Sequence, residues 1–185
     1  INHVGSVHNI HLAKLWHARK CAFVEGNDLK LLSEFQQTLT PHTPEPISAL
    51  SNMSIGGWGG WQHAVGSSLF LHNAGGDSIT SYCVLDSDFW TDEDLGARYE
   101  EAARVGVQLH IWRKKEIENY LLVPGAIARY ITTRISPGVE GPDTDAIRAF
   151  IHGQADVLWD ETFDAMAQTL LSNCRGLGAG GANQR

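Results

Sequence analysis

A chain of 185 residues with 43% apolar side chains predicts one globular domain, or one domain with an appendage, and enough apolar matter for a core. A formal net charge of −7 excludes a protein that holds nucleic acid by long-range attraction alone, because phosphate binding rests on Lys and Arg. Apolar runs of about 18 residues or more are absent, as is a cationic leader ahead of an apolar stretch, so neither a membrane span nor a signal peptide is expected.

Residues 1–19 read as a linker or docking segment in which Val7, Ile10 and Leu12 suit an edge strand. The chain opens on Ile1 in mid-element, as expected of a piece of a longer protein. His3, His8, His11 and His17 follow no metal-binding spacing and are expected at the surface. Lys14 to Lys20 (KLWHARK) is the first of two basic clusters.

Cys21-Ala22-Phe23-Val24 predicts a short buried strand closed by Glu25-Gly26. Asn27 or Asp28 then caps a helix over residues 29–39, whose apolar face is Leu29, Leu31, Leu32 and Phe35. Glu25 has two readings: an acid at the carboxyl edge of a sheet, or a first-turn acid favoured by the helix dipole.

A Pro-rich loop over 40–46 precedes a predicted strand over 47–50 and a glycine-dense turn, Ile55-Gly56-Gly57-Trp58-Gly59-Gly60-Trp61. A helix over 62–72 follows. No Gly-Lys-Ser/Thr follows the glycines here or elsewhere, so no nucleotide site is expected in this chain. The tryptophans are favoured as packing beneath the loop over base stacking.

Thr80 to Trp90 (TSYCVLDSDFW) predicts a strand buried on both faces, with Asp86 and Asp88 where it ends. On an extended chain residues i and i+2 project the same way, so both acids would face one crevice, and a divalent cation would relieve their repulsion. The competing reading is a solvated Asp-Ser-Asp turn with a helix cap at Asp92 or Asp94.

A helix over 93–105 and a strand over 107–112 complete an alternation that predicts an α/β fold with a mainly parallel four-stranded sheet flanked by helices. Basic Arg113-Lys114-Lys115 and the acids Glu116 and Glu118 follow the last strand, and Pro124 is placed to start a helix. Residues 136–145 read as a loop, 146–151 and 161–171 as helices, and 176–185 as a flexible tail. The expected division is thus 1–19, a catalytic domain over 20–135, a helical extension over 136–175, and the tail. Cys21, Cys83 and Cys174 are far apart and odd in number, which suits reduced core thiols and a cytoplasmic protein.

Taken in order, FVEGND at 23–28, VLDSD at 84–88 and RKKEIENYLL at 113–122 resemble a Toprim domain. The resemblance is nearest to the Toprim nuclease domains joined to ABC-type ATPases in the OLD (overcoming lysogenization defect) family and related phage-defence proteins. It covers residues 20–122, and the ENYLL ending points to this branch rather than to topoisomerases or primases.

The resemblance implies a Rossmann-like Toprim fold and a metal-dependent endonuclease that hydrolyses or nicks DNA, with RNA as a further substrate class. It implies that Glu25, Asp86 and Asp88 bind metal, with Asp28 and Glu118 as additional acids. Many relatives carry the acid after Glu-Gly one residue later, where this chain has Leu29, and Glu116 competes with Glu118 for the last position. Two Mg²⁺ or Mn²⁺ ions about 4 Å apart both activate water and absorb charge on the phosphoryl oxygens. Five acids favour two ions over one. Lys115, with Lys114 or Arg113, would neutralise the scissile phosphate. Glu25 is either a ligand or a general base. The ATPase part would lie outside this chain, and the full-length protein would form any homo-oligomer. The alternative is a Toprim module of weak activity that regulates or assembles an ATPase complex, which the negative charge favours.

Overall fold

The computed structural model describes residues 6–75 and 79–179. The chain divides into two compact units, Ile1–Ser87 with Thr91–Arg113, and Asp88–Trp90 with Lys114–Arg185.

The first unit is α/β. Strands β1 (Lys20–Val24), β2 (Ser51–Ser54), β3 (Thr80–Leu85) and β4 (Val107–Ile111) form an all-parallel sheet in the spatial order β2-β1-β3-β4. Helices α1 (Ser6–Ala18), α2 (Asp28–Leu39), α3 (Trp61–Gly75) and α4 (Asp92–Val105) flank it. This arrangement is compatible with a Rossmann-like fold.

Side-chain alternation along the strands builds the core. Cys21 and Phe23 of β1, Cys83 and Leu85 of β3, and Val107 of β4 pack with Trp61, Ala64 and Val65 of α3 and Ala102 of α4. On the other face, Leu32 and Gln36 of α2 line a groove of about 240 Å³ with Ala22, Val24, Tyr82 and Val84. Trp61 is tied to α4 as well, since its indole Nε1 donates to Glu101 Oε2 at 2.7 Å and Arg98 Nη1 reaches the same oxygen at 2.9 Å.

Local signals set most element ends. Thr91 caps α4 in a reciprocal box with Asp94, and Gly106 ends that helix in the left-handed region. Two elements differ from the sequence expectation. Residues 6–18 form a helix rather than an edge strand: the segment contains no Gly or Pro to break it, Leu12, Ala13, Lys14 and Leu15 are good helix formers in succession, and Leu15 packs on the core. The second strand lies four residues further on, over Ser51–Ser54, while Ile47–Ala49 is a 3-10 turn. Ser-Asn-Met-Ser has little intrinsic strand preference, and its pairing of Cys21 with Ser51 through Val24 with Ser54 makes it one.

In the second unit a 3-10 turn over Ile117–Leu121 leads to α5 (Pro124–Thr132), α6 (Thr144–Val157) and α7 (Trp159–Ala179). Pro124 does open α5, and Asp143 caps α6 by accepting from the Ala146 N–H at 2.7 Å. Helices α5 and α6 pack together, burying Ala128 and Ile147. Both C-terminal helices are longer than expected, and α7 takes in the first four residues of the expected tail. Residues 180–185 of that tail, and His3 of the N-terminal segment, lie outside the described residues.

Candidate functional site at the carboxyl edge of the sheet

The strand order makes one crevice special. From β1 the chain crosses to β2 on one side, and from β3 it crosses to β4 on the other, so neighbouring β1 and β3 feed connections that diverge. Open α/β sheets bind ligands at such a switch point, outside the carboxyl ends of the strands. Val24 of β1 pairs with Val84 of β3, so Glu25 and Asp86 follow directly at the carboxyl ends of adjacent parallel strands.

The glycine-dense loop closes over both ends. Its first residue, Ile55, donates from N–H to the Val24 carbonyl at 3.0 Å. Gly57, at φ +66°, leaves its α-carbon bare against the Glu25 carboxylate: a Cβ there would stand 2.4 Å from Glu25 Oε1. Next in sequence, Trp58 donates from Nε1 to the Asp86 carbonyl at 2.9 Å while its ring packs against the core. Trp58 therefore has the structural role that the sequence favoured. Gly57 and Trp58 were not singled out as site residues; the GGWGGW run was the signal that marked them.

Asp28 and Asp86 are both only 7% exposed, and Glu25 is half-buried. Glu25 Oε2 and Asp28 Oδ2 are buried carboxylate oxygens. Asp28 begins α2, where its N–H donates to the Glu25 carbonyl at 3.0 Å and its charge suits the positive end of the helix. Each of the three acids has polar interactions within the fold. Buried carboxylate oxygens are the donors that hard divalent cations take, and burying the charge without such compensation is costly. Among the described residues, no three His, Cys, Asp or Glu side chains stand together as a cluster able to hold a metal ion.

The remaining expected site residues belong to the second unit. Asp88 lies in the left-handed region at φ +48°, so the strand's alternation stops before it and the i, i+2 argument for a shared direction with Asp86 does not hold. Its N–H donates to the Lys115 carbonyl at 3.1 Å. Burial raises the Asp88 carboxyl above its ordinary pKa; Lys115 draws it down in part and Glu116 pushes it up further. The Lys115 ammonium pairs with Glu116 and stands 5.0 Å from the centroid of the Phe89 ring. Glu116 also caps the 3-10 turn in a reciprocal box with Asn119. Glu118, its rival for the last position, is exposed.

No family model, curated protein or solved structure matches the chain.

Proposed function

We propose that this chain is a metal-dependent nuclease domain of the Toprim type, similar to those of OLD-like ATPase-nucleases in phage defence, acting on DNA phosphodiester bonds. The observation that carries this reading is the juxtaposition of Glu25 and Asp86 at the carboxyl ends of neighbouring parallel strands, beside a glycine that admits the Glu25 carboxylate. Glu25, Asp28 and Asp86 each offer carboxylate oxygens of the kind that Mg²⁺ or Mn²⁺ takes, and Asp28 and Asp86 are buried. When bound, the cations supply Lewis acidity toward the phosphoryl oxygens and an activated water. Trp58 holds the backbone of Asp86, and Gly57 leaves room for the Glu25 side chain. Asp88 and Glu118 as further ligands, and Lys115 as the partner of the phosphate, enter from the motif resemblance alone.

Two buried cysteines without a disulfide, Cys21 and Cys83, support a reducing, cytoplasmic setting. Among the described residues no helix is long and apolar enough to cross a membrane.

The test is plasmid nicking by the purified chain in Mn²⁺ or Mg²⁺. Glu25→Ala and Asp86→Ala abolish nicking while the circular dichroism spectrum is unchanged. Equal nicking by the wild type and both variants assigns the activity to a contaminant. The second reading, a regulatory or assembly module of an ATPase complex, is favoured by the net charge of −7. It predicts an inert chain at every cation concentration.

A further inference from the structure

We infer that Glu101 is a positioning residue for the cation site: acting through Trp61, it holds the glycine-dense loop that sets Glu25 and Asp86. The inference rests on the nuclease reading for the cation, and all the residues it uses belong to the first unit. Glu101 lies on α4, and its connection to the two acids runs along the loop over 55–60.

That loop is a closed ring. At its start the Ile55 N–H donates to the Val24 carbonyl at 3.0 Å. At its end Gly60 comes so near the start that a Cβ there would stand 1.7 Å from the Ile55 carbonyl oxygen. Start and end are therefore in contact, and in close-packed surroundings neither shifts without the other. Between them, Gly57 faces the Glu25 carboxylate and Trp58 donates to the Asp86 carbonyl. A displacement at Gly60 thus reaches both acids.

What fixes Gly60 is the next residue, Trp61, which opens α3. Its side chain is 1% exposed, and apolar packing alone, having no direction, would leave the ring free to slide. The indole N–H removes that freedom. It donates at 2.7 Å to Glu101 Oε2, forty positions away, and Arg98 Nη1 holds the same oxygen at 2.9 Å from three residues earlier on α4. A bond of defined length and angle sets both the depth and the rotation of the ring. The site needs that precision. Mg²⁺ takes its oxygens at about 2.0–2.1 Å in near-ideal octahedral geometry, and support that is loose by about 1 Å weakens a site.

Mn²⁺ titration of the full chain by electron paramagnetic resonance, joined to the indole N–H resonances in nitrogen-15 NMR, tests this. Glu101→Leu removes the acceptor and is expected to weaken Mn²⁺ binding by about 3–10-fold. With no cation present, it is also expected to displace the Trp58 indole resonance along with that of Trp61. Glu101→Gln keeps an acceptor oxygen for Trp61 and is expected to bind Mn²⁺ like the wild type. Val107→Ala thins the same core at the amino end of β4, so it lowers the melting temperature while the affinity and the Trp58 resonance stay unchanged. Should Glu101→Leu fail to fold, Trp61→Phe replaces it with the same expected loss. Three results overturn this inference and leave the nuclease reading standing: a wild type that binds Mn²⁺ no more tightly than Glu101→Leu or its replacement, a Trp58 resonance that does not move, or an equal loss in Val107→Ala. A wild type without saturable binding overturns both.

Discussion

The indole nitrogen of Trp58 donates a hydrogen bond of 2.9 Å to the backbone carbonyl of Asp86. Through it, the glycine-dense loop after β2 is fastened to the end of β3, while its neighbour Gly57 lies against Glu25 at the end of β1. One loop thus registers both acids at the sheet's switch point.

Gly57→Ala should be among the most damaging small substitutions in the chain. The new methyl would meet Glu25 Oε1 at 2.4 Å, at a backbone φ of +66° that disfavours any side chain. A stability loss of about 1–3 kcal/mol is expected in urea unfolding, together with loss of cation-supported nicking. Gly59→Ala is the control, because nothing lies within 4 Å of its Cβ position. Gly59→Ala equalling Gly57→Ala in damage would show that the Glu25 contact is not what matters.

The bond from Trp61 to Glu101 makes the first unit sensitive to acid. That bond, assisted by Arg98, lowers the Glu101 carboxyl below its ordinary pKa of 4.5, and burial opposes it in part. A lowered folded-state pKa means the stabilisation is present above the unfolded value and is lost as pH falls through the folded one. Trp61→Phe should therefore cost about 1–2 kcal/mol at pH 7, and the gap to wild type should shrink below about pH 4. A gap independent of pH would leave only a packing role for Trp61.

Asp88 predicts the opposite sign. Its carboxyl is raised above the ordinary 3.8, chiefly by burial, so the folded state prefers it protonated. That contribution is whole below the unfolded pKa and disappears as pH rises through the raised value. Asp88→Asn removes the charge and keeps a residue type that tolerates the left-handed backbone. Without divalent cations, its melting temperature at pH 7 should exceed that of the wild type. A lower value would mean that the Asp88 charge stabilises the fold.

The two buried thiols, Cys21 and Cys83, should be inert in the native state. Burial raises Cys21 and pushes Cys83 up to about 12. Both are therefore neutral at physiological pH and shielded from reagent. Labelling of Cys83 by a thiol reagent at pH 8 is expected only at the rate of unfolding, and rapid modification would contradict its burial in the sheet.

Strands β1 and β3 were legible in the sequence as short apolar runs, and β4 by the alternation that turns Val107, Leu109 and Ile111 inward while Gln108 and His110 stay exposed. Strand β2 was not, since polar Ser51 to Ser54 becomes a strand only by pairing with β1. Glu25 and Asp86 could be found because an acid directly after a buried run falls at a sheet edge. The fit of Gly57 against Glu25 and the bond from Trp58 to Asp86 join residues about thirty positions apart, and no local pattern encodes them. The extended-chain argument that paired Asp88 with Asp86 reaches one residue pair too far, because the left-handed φ of Asp88 ends the alternation.

Mn²⁺ titration followed by electron paramagnetic resonance tests the central claim most directly, because it needs neither a substrate nor turnover. Saturable binding is predicted for the wild type, weakened in both Glu25→Gln and Asp86→Asn by at least the ~10–100-fold that loss of an outer-sphere partner costs. A wild type without saturable binding, or two variants that bind Mn²⁺ as tightly as it does, would contradict a cation site at the ends of β1 and β3.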